Sequence, residues 1–259
     1  ATNEPRRRLK QVPFDFPEGH VRKLVAKGGL DLAGTPDGRL VVRAGHEVRI
    51  LDSSMHVLQT VEVEHDGMIA ASDDSIFCCF EGLNDMPPAL RRISHDGTTA
   101  AEYQLEGYDF FCPVLAPGGL LFCVIFEEEG RVIFEEGRVI FEEGRDEIIA
   151  LDAQTLQLRH RFGRGLLNDD DHVCQLAVVG DELYVCDTGN HRLQVFSLTG
   201  EHRRSIVGEW RSPTRLSFAK DRLYLLEQSN RDAPVQRRRI LVLSLQGDIL
   251  QVVTHPTEP

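Results

Sequence analysis

One unit of four short β-strands recurs along this chain, and that recurrence limits the fold more than any other feature. Its clearest copy spans residues 175–207, QLAVVGDELYVCDTGNHRLQVFSLTGEHRRSIV, where Gly180-Asp181, Gly189-Asn190 and Thr199-Gly200 separate four apolar runs. Glycine and asparagine supply the positive φ angles that tight turns need. The unit therefore predicts a four-stranded antiparallel meander.

Four further copies follow the same pattern, in residues 29–63, 68–105, 112–162 and 214–253. An apolar residue late in the third strand aligns all five copies: Leu51, Ile93, Leu151, Phe196 and Leu243, with spacings of 42, 58, 45 and 47 residues. Blades of a β-propeller recur every 40–50 residues or so. No segment shows sustained helical periodicity, which argues against a parallel α/β fold. The expected fold is all-β, a propeller with five complete four-stranded blades.

The spacing of 58 has a visible cause in a tandem repeat. Residues 124–145 read VIFEEEGRVIFEEGRVIFEEGR, one phrase in three copies that begin at Val124, Val132 and Val139. Each copy is a short apolar strand followed by a turn, so the insertion is expected to extend a hairpin from the third blade. The predicted organisation is an N-terminal segment 1–28, a propeller 29–253 with the insertion 124–145, and a tail 254–259.

Residues 1–28 contain further strand-like pieces, KQVPFDF and HVRKLV. Three arrangements stay open: five blades close the ring, the N-terminal strands form a partial sixth blade, or a longer protein supplies the rest. An N-terminal segment that closed the ring would cover an open sheet edge, so its deletion is expected to destabilise the domain.

Residues 183–196, LYVCDTGNHRLQVF, resemble the NHL repeat, whose units carry a (D/N)-x-x-N-H-R-(V/I/L)-Q-V-F phrase. The matching residues run from Asp187 through Asn190, His191 and Arg192 to Phe196. The full phrase occurs once; blade 1 has His46-Glu47, blade 3 has Asp146-Glu147 and blade 5 has Arg238-Arg239 at the same place. The resemblance implies an NHL propeller, a fold that serves protein or RNA recognition and some lyases and lactonases, so the fold alone selects no function.

The motif also has a structural interpretation. The Asp187 carboxylate is expected to accept hydrogen bonds from backbone N–H groups across the Thr188-Gly189-Asn190 turn, as short Asx side chains do. A direct ligand contact by Asp187, His191 or Arg192 is the alternative.

With strands named a to d in each blade, b–c and d–a connections open on one face and a–b and c–d turns on the other. The longer connections are predicted to be b–c or d–a, and binding residues usually collect on long loops of a rigid scaffold. We therefore expect the function on this face, as recognition of a protein or peptide partner. The candidate binding residues carry both signs of charge: Arg91, Arg92, Asp169, Asp170, Asp171, His191, Arg192, Arg231, Arg237, Arg238 and Arg239.

Two other functions are alternatives. A propeller metalloenzyme of the lyase or lactonase type needs ligands from several blades at the central channel, for a divalent metal such as Ca or Zn. The aligned candidates are His46, Asp146 and His191. The other alternative is an RNA-binding NHL domain. With 29 basic and 41 acidic residues, the net charge of −12 disfavours nucleic acid. Neither a nucleophile elbow nor a P-loop occurs, so no catalytic residue and no cofactor are predicted.

Two compositional features bear on the environment of the protein. The six cysteines (Cys78, Cys79, Cys112, Cys123, Cys174 and Cys186) lie in apolar runs with no CxxC pair, which is typical of thiols in a reducing compartment. No apolar run approaches the roughly 20 residues of a membrane helix, and no signal peptide is recognised. A cytoplasmic location is therefore expected.

Overall fold

A computed structural model describes residues 30–63, 67–80, 87–105, 107–127, 132–135, 138–141, 146–167, 175–228 and 238–254. These residues form five four-stranded antiparallel sheets in chain order. The described strands begin at Leu30 and end at Thr254, close to the predicted limits of 29 and 253. The segment 1–28 and nearly all of the tail 254–259 lie outside the described residues, so ring closure by the N-terminal strands stays a prediction.

The first two blades contain strands β1 to β8. Blade 1 consists of β1 (Leu30–Gly34), β2 (Leu40–Ala44), β3 (Glu47–Leu51) and β4 (Val57–Glu62). Blade 2 consists of β5 (Gly67–Ala71), β6 (Ser75–Phe80), β7 (Ala89–Ser94) and β8 (Thr99–Gln104).

Blade 3 contains the predicted insertion. Its four strands are β9 (Tyr108–Ala116), β10 (Leu120–Glu127), β13 (Glu147–Asp152) and β14 (Leu158–Phe162). Between β10 and β13, β11 (Val132–Glu135) and β12 (Arg138–Phe141) pair as a separate two-stranded antiparallel sheet. The tandem copies therefore form strands, and the second and third copies extend a hairpin beyond the blade.

The last two blades are regular. Blade 4 consists of β15 (Leu176–Val179), β16 (Glu182–Asp187), β17 (Arg192–Ser197) and β18 (His202–Val207). Blade 5 consists of β19 (Pro213–Ala219), β20 (Arg222–Gln228), β21 (Arg238–Leu243) and β22 (Ile249–Thr254).

Apolar clusters between consecutive blades hold the ring together. Strand alternation sends successive side chains to opposite faces of a blade, so consecutive blades can pack against each other, and apolar clusters join them pairwise from blade 1 to blade 5. Phe77 of blade 2 packs with Ile149 of blade 3, and Phe122 of blade 3 packs with Phe196 of blade 4. Such side chains contribute roughly 1.5–3 kcal/mol each when fully buried. Trp210 packs in the cluster between blades 4 and 5.

The five residues that align the repeats in the sequence occupy equivalent structural positions. In every blade the register between strands c and d shifts immediately before that residue: Leu51, Ile93, Leu151, Phe196 or Leu243. One residue of strand d is left over at each shift, as in a β-bulge. The sequence period is therefore also the period of a repeated bulge.

Candidate functional site

The longer connections between the described strands all belong to the b–c and d–a classes. They join Phe80 to Ala89, Glu127 to Glu147 and Gln228 to Arg238 as b–c connections, and Phe162 to Leu176 as a d–a connection. All a–b and c–d connections of the five blades are short. The predicted distribution of loop lengths is confirmed, and we call the side that carries the long connections the loop-bearing face.

A cavity of about 500 Å³ runs along the axis of the ring. The innermost strands of all five blades line it, so it is the central channel of the propeller. Most of the lining residues are apolar, among them Leu32, Val114, Leu176 and Phe218, but polar atoms make up more than half of the lining surface, and Thr35, Gln175 and Ser217 are polar residues there. Within the described ranges, no acidic, basic, histidine or cysteine side chain belongs to this lining.

One carboxylate lies beside the channel, near the start of β1. Asp31 Oδ2 accepts a hydrogen bond of 2.7 Å from the backbone N–H of Ile69 in the adjacent blade. Burial raises the pKa of Asp31, while that hydrogen bond and the nearby guanidiniums of Arg43 and Arg215 oppose the increase. Asp31 therefore joins the inner strands of blades 1 and 2.

The three candidate metal ligands differ in their surroundings. His46 and His191 are exposed in the b–c turns of blades 1 and 4, whereas Asp146 is buried immediately before β13. Among the described residues, no group of three or more His, Cys, Asp or Glu side chains is placed to hold a metal ion. The structure does not bring the three candidates together as a ligand set.

Asp187 and Arg192 form the centre of a hydrogen-bonded network in blade 4. They are direct partners in the register of β16 and β17, and Arg192 Nε donates to Asp187 Oδ2 at 2.6 Å. Asn190 and Gln194 also donate to this fully buried carboxylate. Arg192 Nη2 donates to the carbonyl of Leu166 at 2.9 Å, in the connection from blade 3. The motif thus fastens blade 4 to the segment that precedes it. These donors to Asp187 are side chains, whereas the sequence interpretation expected backbone N–H groups of the turn.

Blade 5 repeats this arrangement with a longer carboxylate. Glu227 and Arg239 are partners in the register of β20 and β21, and Arg239 Nε donates to Glu227 Oε2 at 2.5 Å. Arg239 Nη2 donates to the carbonyl of Glu209 at 3.0 Å, in the connection from blade 4. The two arginines therefore make the same pair of contacts, and we call each such unit an arginine clamp.

His191 has a structural contact as well. It adopts a positive φ of 55° at the end of the b–c turn. The backbone N–H of Ser212 donates to its Nδ1 at 3.2 Å, which ties this turn to the connection between blades 4 and 5. His191 therefore joins the two arginine clamps.

The remaining candidates divide into two groups. Arg91 and Arg92 lie within β7, opposite Cys78 and Phe77, rather than in a loop. Arg91 pairs with Glu102 at 2.5 Å and Arg92 with Gln154, so both extend over the sides of blade 2. Asp169, Asp170, Asp171, Arg231 and Arg237 lie outside the described residues, and Arg238 is the first residue of β21.

Two exposed arginines of the loop-bearing face were not among the sequence candidates. Arg164 lies 3.5 Å from Glu147, in the segment after β14, and Arg211 lies in the connection before β19. Both are exposed. Each is a single arginine in a d–a connection rather than part of a run of charged residues, so only its position between strands could have indicated it from the sequence.

Comparisons with known proteins support the propeller. Residues 176–196 match the NHL repeat, and no curated protein sequence matches the chain. The structure of streptogramin B lyase superposes with a TM-score of 0.61 at 16% identity, covering 89% of this chain and 70% of that one.

Two other solved structures have the same fold. A gluconolactonase, XC5397 from Xanthomonas campestris, gives a TM-score of 0.58 at 16% identity and covers 90% of this chain and 78% of that one. A nidogen/laminin complex gives 0.60 at 13% identity, with 89% and 86% covered. In the part of the chain that the structure describes, no helix is long and apolar enough to cross a membrane. The chain is a β-propeller with five four-stranded blades, and residues 176–196 of its fourth blade match the NHL repeat.

Proposed function

We propose that this propeller is a binding scaffold that recognises a protein or peptide partner on its loop-bearing face. The observation that carries the proposal is the position of the longer connections, which all open on that face while the opposite face has short turns. Connections of variable length on a rigid framework are the usual place for binding residues. The inter-blade clusters and arginine clamps provide such a framework.

The central channel gives the enzyme alternative little support. The lyase and lactonase that resemble this chain do so below 25% identity, which concerns the fold alone. A channel enzyme needs titratable or metal-binding side chains at the reacting centre. The described residues that line the channel include none of these. The RNA alternative needs a continuous basic surface, and the net charge of −12 opposes it.

Affinity capture with loop variants tests the proposal. The full chain is immobilised and exposed to an extract of its own cells, and reproducibly captured proteins are purified and rebound. One variant replaces residues 229–237 by a two-residue Asn-Gly turn, and another removes residues 132–145. The matched control changes the opposite face by Arg222→Glu, because Arg222 is exposed at the start of β20.

We expect at least one loop variant to reduce rebinding of the purified partner tenfold or more, with the control unchanged. All variants must keep the melting temperature of the parent chain to within a few degrees. If the loop variants still rebind the partner and Arg222→Glu does not, the choice of face is wrong.

A further inference from the structure

Opposite charges are layered on the loop-bearing face of blades 3 to 5. The carboxylates lie beneath, since the side chains of Asp187, Glu227 and Glu147 are 0%, 3% and 9% exposed. Their guanidinium partners lie further out, with Arg192 29%, Arg239 20% and Arg164 52% exposed. A partner approaching this face therefore meets arginine before it meets the acids.

These arginines belong to one connected stretch. Arg164 is two residues from Leu166, whose carbonyl accepts from Arg192. His191, next to Arg192, accepts from the backbone N–H of Ser212. The preceding residue, Arg211, donates its backbone N–H to Glu227 Oε1 at 3.4 Å, and Glu227 is the partner of Arg239. We call Arg164, Arg192, Arg211 and Arg239 the arginine row.

The two clamp arginines are already held in place. Each uses Nε for a carboxylate and Nη2 for a backbone carbonyl. The side chains of Arg192 and Arg239 nevertheless stay 29% and 20% exposed, so part of each guanidinium is accessible to a partner. A guanidinium that is ordered before binding loses less side-chain entropy when it contacts an anion. Each clamp therefore presents a preorganised guanidinium beside the connection that precedes its blade.

We propose that the arginine row binds an acidic segment of the protein partner, with carboxylates placed on Arg192 and Arg239 and the exposed Arg164 and Arg211 flanking them. This inference rests on the proposed function and names the chemistry of its partner. Arginine is suited to carboxylate recognition because its planar fork offers parallel donors. Glu209 is exposed, and its backbone carbonyl accepts from Arg239, so one acidic residue also borders the row.

A protein segment suits the row better than RNA. A nucleic acid backbone is a long polyanion, and the net charge of −12 repels it over the whole molecule. A short acidic segment contacts only the arginines of the row, whose carboxylate partners lie beneath them.

Fluorescence anisotropy with the full chain tests the inference. The probe is a fluorescein-labelled Gly/Ser peptide with six glutamates, and its matched partner has six glutamines in the same places. A single-stranded RNA of ten uridines is the third probe. The variants are Arg164→Glu with Arg211→Glu, which changes exposed residues, and the control Arg222→Glu with Lys220→Glu, which makes the same charge change on the opposite face. Melting curves confirm that each variant is folded.

We expect the glutamate peptide to bind at least tenfold more tightly than the glutamine peptide and the RNA at low salt. Arg164→Glu with Arg211→Glu is expected to weaken binding of the glutamate peptide at least tenfold, and the control variant is expected to weaken it less than twofold. Equal binding of both peptides, equal loss in the control, or tighter binding of RNA would each overturn the inference. If the glutamate peptide does not bind but the loop variants still lose the captured partner, the proposed function stands and this inference is wrong.

Discussion

The arginine clamp of blade 4 allows a quantitative prediction for Asp187→Ala. The substitution removes a fully buried carboxylate that Arg192 Nε contacts at 2.6 Å. Breaking a buried ion pair typically costs 3–5 kcal/mol, and a hydrogen bond to a charged group contributes about 1.5–3 kcal/mol. The Arg192 side chain is 29% exposed, so water compensates part of the loss. We expect destabilisation of about 3 kcal/mol, or roughly 6–12 °C in melting temperature.

Urea unfolding followed by tryptophan fluorescence measures this change, because Trp210 lies in the cluster between blades 4 and 5. The internal control is Asp181→Ala in the same blade. Asp181 pairs with Arg203 at 2.8 Å, but its side chain is 79% exposed. Exposed pairs contribute about 0–1 kcal/mol, so this variant is expected to unfold nearly like the parent chain.

A double-mutant cycle separates the pair from its surroundings. Asp187→Ala and Arg192→Ala are measured singly and together, and the coupling is expected to exceed about 1 kcal/mol. Glu227→Ala is expected to have a cost similar to that of Asp187→Ala, since blade 5 repeats the contacts. The reasoning would be refuted by a coupling near zero, or by Asp181→Ala costing as much as Asp187→Ala.

Three further predictions concern pH, turns and thiols. Hydrogen bonds from arginine lower the pKa of Glu182 from 4.5 to about 2, so its contribution to stability is present above pH 4.5 and lost towards pH 2. Glu182→Gln should therefore destabilise the protein at pH 7. Urea unfolding should show that the difference in stability between the variant and the parent chain shrinks below pH 4.5. Gly200→Ala should lower the melting temperature more than Gly97→Ala. Both glycines have the same backbone strain, with φ of 90° and 89°, but a Cβ at Gly200 would lie 2.8 Å from a phenyl ring. Equal losses of melting temperature would contradict the steric argument. Burial raises the pKa of Cys78 to about 12 and that of Cys79 well above its usual range, so Ellman's reagent should label both only after unfolding; rapid labelling of the native chain would count against it.

The architecture was predictable because it depends on local patterns. Turn residues and strand alternation defined the blades, and the aligned positions of Leu51 to Leu243 fall at equivalent bulges. The structural role of Asp187 also followed from its place before a tight turn. These features involve residues close together in sequence.

The site depended on arrangements that sequence position does not determine. Arg91 and Arg92 were placed on the loop-bearing face because their charge was noticed before their position within β7. A shared metal site would require His46 and His191, which belong to separate blades, to point towards the same place. The pattern of strands in the sequence does not determine these directions. The central channel arises only when five inner strands are brought together.

The repeated bulge has a consequence for the behaviour of the protein in concentrated solution. Among the described strands, the outermost strand of every blade has one edge with no paired neighbour. Such an edge is a template for pairing with strands of other molecules. Each of these strands carries an extra residue at the bulge, Leu58 in blade 1 and Leu250 in blade 5 among them. The extra residue twists the edge and breaks its straight row of donors and acceptors. The five irregular outer strands are therefore expected to protect the protein against fibre formation, although apolar side chains such as Leu58 are exposed on them.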